Sequence, residues 1–459
     1  MTLCQAELPR QRRRQPLLQP GTDTQSSVEV RFAGTRIGPS DYQIGGYHFD
    51  EFLDVTTQLT SGSTANYQRP KYNTKSYAGF GRLTLNVSNR LRLVGGLRYT
   101  EDKKRFSTTQ LTAVISCTRP LGPGLGNCPN VPVVPLFNDP SQLGSPFPAA
   151  GGAPIMVFVG GVPTGALSIR RDIIVNDRRL SNDKITYRGA VEFDVAPRSL
   201  LYASIESGYR WGGFSVATGF ETYQPETITA YTVGMKNRFF GNRLQANVEG
   251  FIWKYRNQQV SRVAPDLATP PNNANYVQNI GSSTIQGFEI DGKLLIMPTT
   301  LVGANLQYLD TEQKDYAFAA AINPPPITGC PVTPATATQV RIDCSGYPSY
   351  NSPKWTLNLS GQQTIKLDGF QVVLSADTQH RSSRYIGFAY LPQQLIGSTW
   401  TSNAQIQLGP DSERWSVAAY VRNIENDRIP IYSIVGSGNF LTYGATAPRT
   451  YGLRLSAKY

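Results

Sequence analysis

The sequence predicts an all-β chain that crosses a membrane as an antiparallel, up-and-down β-barrel, and three observations carry that prediction. First, the last nine residues alternate: Tyr451, Leu453, Leu455, Ala457 and Tyr459 on one face, Gly452, Arg454, Ser456 and Lys458 on the other. Side chains alternate across a strand, so a one-residue slip would turn Arg454 and Lys458 onto the apolar face. Near the midplane of a bilayer that slip costs about 2–4 kcal/mol for an Arg. Second, the chain contains no run of about eighteen apolar residues, so if it spans a membrane it does so with strands, the other way to satisfy every backbone group in lipid. Third, strand-like segments are joined in pairs by short turns, and the pairs by long polar connections, as in outer-membrane barrels.

The short turns are Ser88-Asn89, Ala196-Pro197-Arg198, Gly241-Asn242, Met297-Pro298-Thr299, Leu367-Asp368-Gly369 and Gly409-Pro410-Asp411. Their residues set turn dihedrals or bond their own backbone. Beside them the period is two. Leu83, Leu85 and Val87 alternate with Arg82, Thr84 and Asn86, and Leu91, Leu93, Leu97 and Tyr99 alternate with Arg92, Arg98 and Thr100. The pattern returns in Ile185 to Val195, Leu244 to Val248, Trp355 to Leu359, Phe370 to Ala376 and Trp415 to Val421. The opposite positions carry Arg188, Glu192, Asp194, Gln245, Asn247 and Glu249. A tightly packed soluble core rarely accepts such residues.

Long connections are expected at 102–182, 210–227, 257–283, 311–353, 382–397 and 425–447. Phe239, Phe240, Trp253, Tyr255, Trp400 and Tyr459 stand near strand ends, where interfacial girdles require aromatics. Adding weaker strands near 28–34 and 41–52 gives about fifteen, an odd number where bacterial single-chain barrels use even ones. Strands are therefore expected to be missing from the N-terminal side.

Forty-four basic and thirty-two acidic residues give a net charge of +12. Arg82, Arg92, Arg98 and Arg188 fall at strand-alternate positions, which reads as a polar lumen and not as a nucleic-acid surface. The dense run Arg10 to Arg14 reads as a disordered tail. Two cysteine pairs, Cys117 with Cys128 and Cys330 with Cys344, lie in Pro/Gly-rich segments without nearby His, so loop-stapling disulfides in an oxidising compartment are expected in place of a metal site. His48 and His380 read as ordinary lumen or loop residues. No Gly-rich phosphate loop, HExxH helix or nucleophile elbow is present, so neither an enzyme nor a resident cofactor is expected.

An ordered series of segments resembles the C-terminal barrel of TonB-dependent outer-membrane receptors, in particular the siderophore and vitamin receptors. It comprises Tyr77 to Arg105 (YAGFGRLTLNVSNRLRLVGGLRYTEDKKR), Tyr202 to Phe214 (YASIESGYRWGGF) and Tyr231 to Tyr255 (YTVGMKNRFFGNRLQANVEGFIWKY). It continues with Asn279 to Glu289 (NIGSSTIQGFE), Ser352 to Leu359 (SPKWTLNL), Val421 to Arg428 (VRNIENDR) and Pro448 to Tyr459 (PRTYGLRLSAKY). Trp211 departs from the family's pattern, which has Pro there.

The resemblance implies a 22-stranded barrel filled by an N-terminal plug. It also implies monomeric, TonB-energised uptake of a ferric siderophore or similar bulky ligand through the outer membrane of a Gram-negative bacterium. Residues 28–459 are then the barrel without its plug, and residues 1–27 a disordered or non-native lead-in. A passive porin-like channel, or a fragment that transports nothing, is the alternative. Tyr209, Arg210 and Trp211 follow a strand and open a loop, so they could meet an anionic, aromatic ligand through charge and cation–π contact. The same residues could equally be a girdle aromatic beside a rim arginine.

Overall fold

A computed structural model of the chain describes residues 21–37, 40–61, 64–117, 155–159, 162–267, 273–322, 326–337, 339–435 and 441–458. Its backbone is almost wholly extended and antiparallel. Among the described residues fifteen strands reach eight residues or more. In chain order they are β1 (Gly21–Ile37), β2 (Ser40–Val55), β3 (Lys71–Asn86), β4 (Leu91–Cys117) and β5 (Val162–Ala196). Then come β6 (Ser199–Arg210), β7 (Glu226–Phe239), β8 (Leu244–Arg256), β9 (Ser282–Met297) and β10 (Thr300–Gln313). The last are β11 (Trp355–Leu367), β12 (Phe370–Arg381), β13 (Thr399–Pro410), β14 (Trp415–Arg422) and β15 (Thr450–Ala457).

The chain divides into two compact units, the first of residues 1–37, 41–82 and 97–185, the second of 38–40, 83–96 and 186–459. In the first unit β1 pairs with β2 and β2 with β3. Arg98 stacks over Tyr47 at 5.3 Å and over Phe80 at 5.6 Å, and Arg69 meets Asp54 through two hydrogen bonds of 3.0 and 2.9 Å. Two expected boundaries shift. The first strand begins at Gly21 instead of near 28, and β4 and β5 reach deep into the connection expected over 102–182. Burial alternates on through Asp102, Phe106 and Thr108, all buried, because a strand that outruns the lipid needs no apolar face and so loses the signal that marked it.

In the second unit β5 to β15 form an uninterrupted meander, each strand antiparallel to the next. All six expected short turns are present, and neighbouring turns are stitched by backbone hydrogen bonds. Arg90 C=O accepts from Asp194, Arg198 from Arg238, Arg243 from Leu295, Thr299 from Thr364, Gly369 from Asp411 and Arg414 from Lys458. The last of these places the end of β15 on the same rim as the short turns.

Directly opposed residues share a face. One row of partners runs Glu192, Tyr202, Gly234, Glu249, Glu289, Gln307, Thr356 and Arg381. The neighbouring row runs Val191, Ala203, Val233, Gly250, Phe288, Tyr308 and Trp355. The sheet therefore has a polar face, cross-linked by bonds such as Gln307 Nε2 to Glu289 at 2.6 Å, and an apolar face whose large side chains stay exposed.

This parity corrects two expected girdle residues. β8 pairs with β7 without a bulge, so Trp253 and Tyr255 stay in step with Glu249 on the polar face, where Trp253 stacks on Phe251 at 4.5 Å. Proximity to a strand end suggested the girdle; register decides against it. Phe239, Trp400 and the cluster Phe288–Tyr308–Trp355 do lie on the apolar face. Tyr459 lies outside the described residues. Of the two histidines, expected in lumen or loops, His380 joins this apolar band instead, and His48, in the first unit, meets an aromatic ring. His380 lies between Leu357 and Trp400, its ring 4.7 Å from the indole, and His48 stacks on Tyr77 at 4.7 Å.

Candidate ligand-binding site

The described residues of the second unit's long connections carry secondary structure of their own. Small antiparallel pairs form at Gly213–Phe214 with Thr222–Tyr223, Gln259–Pro265 with Asn273–Asn279, Arg384–Tyr385 with Leu395–Ile396, and Pro430–Val435 with Leu441–Ala445. A three-stranded sheet joins Ala317–Ala321, Gln339–Asp343 and Val332–Pro334.

Each loop is bonded to the next. Leu267 N–H donates to Thr218 at 3.0 Å, Arg262 Nη2 to Ala319 C=O at 3.0 Å, Gly329 N–H to Ala389 at 2.7 Å, and Ser433 N–H to Ile386 at 2.8 Å. A well-packed core lies here. Val260, Ile280, Tyr316, Cys330, Ile342, Cys344 and Tyr390 form one buried cluster, closed by a Cys330–Cys344 disulfide with Cα atoms 5.1 Å apart. Cys128, and with it the Cys117–Cys128 pair, lies outside the described residues.

Burial pushes Tyr316 up to about 12 and also raises Tyr276 and Tyr390. The Arg262 guanidinium lies 4.1 Å from the Phe318 ring centre and 5.6 Å from that of Tyr276, and burial lowers its pKa. Rings around a desolvated cation hold it by their quadrupoles.

Tyr209, Arg210 and Trp211 stand at the mouth of the first of these loops. Tyr209 opposes Thr227, in step with Tyr231 on the apolar face, whereas Arg210 opposes Glu226 on the polar face. The structure therefore separates Tyr209 from Arg210. Trp211 begins the loop, and its carbonyl accepts from Gln259 Nε2 at 2.9 Å. Arg210 is exposed, and its charge opposes the upward pull of burial on Tyr223.

A cavity of about 440 Å³ opens on the polar face of β9 to β13, below Ile429 and Ile431 of the last loop. Its lining includes Arg381, Arg384, Thr399, Thr401 and Asp377. Arg381 ends β12 and opposes Thr399. Arg384 is buried, with Nε donating to Asn351 Oδ1 at 3.2 Å. Sequence reasoning missed both arginines. A signal was present: no Asp or Glu occurs between Asp377 and Asp411, so Asp377 is the one acid near Arg381 and Arg384 in sequence.

The family model for "TonB dependent receptor-like, beta-barrel" matches residues 7–424. The chain belongs to the TonB-dependent receptor family. Among solved structures, the ferric yersiniabactin uptake receptor FyuA from Yersinia pestis aligns with 95% of this chain and 54% of its own, at 13% identity and a TM-score of 0.64. The siderophore receptor PiuA from Acinetobacter baumannii aligns with 96% of this chain and 65% of its own, at 12% identity and a TM-score of 0.55. The copper transporter OprC aligns with 96% and 63%, at 10% identity and a TM-score of 0.52. At these identities the likeness is one of fold, and this TonB-dependent receptor chain spans little more than half the length of FyuA. The family is one of receptors and transporters, not of enzymes, and its barrels belong to the outer membrane of Gram-negative bacteria.

Proposed function

We propose that the chain forms the barrel of a receptor that takes up a ferric siderophore, or a chelated metal of similar bulk, using energy relayed through TonB. The observation that carries this reading is the interlocked loop layer beside a continuous polar face, joined by the cavity beneath Ile429 and Ile431. A polar face is where a plug domain packs, and a folded loop layer gives a bulky ligand a shaped surface. A passive pore needs no such layer. FyuA and PiuA, both named for siderophore or ferric-chelate uptake, share the fold. Arg210 and Trp211 contribute to the ligand surface in this reading, with Tyr209 serving as a girdle residue. The receptor acts as a monomer in the outer membrane and meets TonB through its plug and an N-terminal box.

Radiolabelled iron offered as a panel of chelates to cells carrying the complete gene tests the proposal. Uptake of one chelate that vanishes in a TonB-deficient strain is the expected result. Uptake that persists without TonB, together with steady ligand-independent conductance in planar bilayers, would point to a passive channel.

A further inference from the structure

A buried guanidinium is ordinarily met by a carboxylate, because removing the charge from water costs several kcal/mol that a partner must offset. Arg384 breaks that pattern. It retains 5% of its accessible surface, so it is more than nine-tenths buried, and its Nη1 has no hydrogen-bond partner. Neither Arg384 nor Arg381 forms an ion pair among the described residues, and both line the same cavity. Burial lowers the Arg384 pKa first, and the charge of Arg381 lowers it further, so each cation lies in the other's field.

Arg384 is held in place. Its backbone pairs with Ile396, its Nε bonds Asn351, and Asn351 N–H is anchored on Tyr385 C=O at 2.8 Å. The carboxylates in the lining accept from amides, Asp377 from Asn403 Nδ2 at 2.7 Å and Asp291 from Asn247 Nδ2 at 3.3 Å, and neither pairs with Arg381 or Arg384 among the described residues. Thr399 and Thr401 add hydroxyl donors on the polar face of β13. A fixed fork of donors, a second cation and two hydroxyls match a planar oxyanion.

We propose that Arg381 and Arg384, with Thr399 and Thr401, form a recognition site for the free carboxylates of an anionic metal chelate. This deepens the uptake reading and rests on it. The ligand class is thereby narrowed from any bulky chelate to one that keeps negative charge after binding its metal.

Tryptophan fluorescence of the full chain in detergent, with folding checked by heat-shifted gel mobility, reads the site directly. Ferric citrate is the anionic probe, ferrichrome the uncharged one and inorganic phosphate the bare oxyanion. Ferric citrate binds roughly tenfold or more tightly than ferrichrome in the wild type. Arg381→Gln and Arg384→Gln each remove most of that difference, and Arg384→Lys restores part of it. Folded variants that bind ferric citrate as the wild type does, or a wild type that prefers ferrichrome or binds phosphate equally well, overturn the proposal. Iron uptake in cells separates the two readings. TonB-dependent uptake indifferent to Arg381→Gln sinks the anion site and leaves transport standing, whereas arginine-dependent binding without TonB-dependent uptake does the reverse.

Discussion

In the second unit the long strands and the loop layer bury opposite things. Leu453 and Leu455 on β15 leave 76% and 77% of their surface accessible, whereas Tyr390 leaves 2% and Ile386 and Cys344 none. The strands obey the rule for lipid: neighbouring strands pair their backbone groups within the sheet, and the apolar side chains stay on the exposed face. The loops obey the rule for water and resemble a small secreted domain, with an aromatic cluster, short strand pairs and a disulfide. One chain thus solves two solvent problems with two kinds of core. Each part should fail in its own way.

The largest expected effect tests the loop side. Tyr390 packs against Tyr347 at 4.7 Å and Tyr385 at 5.3 Å, and its hydroxyl donates to Pro348 C=O at 2.9 Å. Tyr390→Ala leaves a cavity and an unpaired carbonyl, with a cost of about 3–5 kcal/mol by analogy with other large aromatic truncations. Hydrogen exchange in 314–354 and 382–398 should rise, while heat-shifted mobility of the barrel stays as before. Loss of both together would mean that the two regions are one cooperative unit.

Ile406→Arg is the converse. Ile406 is 51% exposed on the apolar face of β13, between Leu374 and Ala419. An arginine near mid-bilayer costs about 2–4 kcal/mol. Folding yield into lipid vesicles should fall, whereas Ile406→Leu should fold normally; an arginine variant that inserts like wild type would show that this face does not meet lipid.

Replacing Cys330 and Cys344 together by Ser reopens a loop whose ends are 14 residues apart in sequence. The chain-entropy model assigns such a closure roughly 3 kcal/mol, and measured losses often fall below that. Limited proteolysis should cut within 326–350 in the double variant and not in the wild type. Equal resistance in both would make the aromatic cluster sufficient without the bridge.

The strands were legible because alternation and turn chemistry are local. Gly241-Asn242 or Leu367-Asp368-Gly369 announces a hairpin without knowledge of the rest. Trp253 is misplaced by sequence because a girdle residue is defined by which face it takes as well as its height, and the face follows from register with Ala230 and Ile285 and their neighbours. The cavity arginines were harder. Arg381 and Arg384 acquire meaning through Asn351 and Thr399, which loop closure and strand pairing bring to them, and neither relation has a fixed spacing. Loop cores share that property, so apart from the Cys330–Cys344 staple little of the layer could be read in advance.

Alkaline pH should separate the two regions with the smallest effect per side chain. Tyrosine ionises near pH 10 in an unfolded chain, and burial raises Tyr316 to about 12, with Tyr276 and Tyr390 also raised. A raised pKa means the folded layer keeps its phenol protons while the unfolded loop releases them. Stability is then fully present below pH 10 and declines between about 10 and 12, by at most roughly 1.4 kcal/mol per pH unit for each such tyrosine. Tyrosinate absorbance from the loop tyrosines should appear together with loop proteolysis, in one cooperative step, while the circular dichroism of the long strands persists. Gradual ionisation around pH 10 with the layer still protected would show that its core admits water.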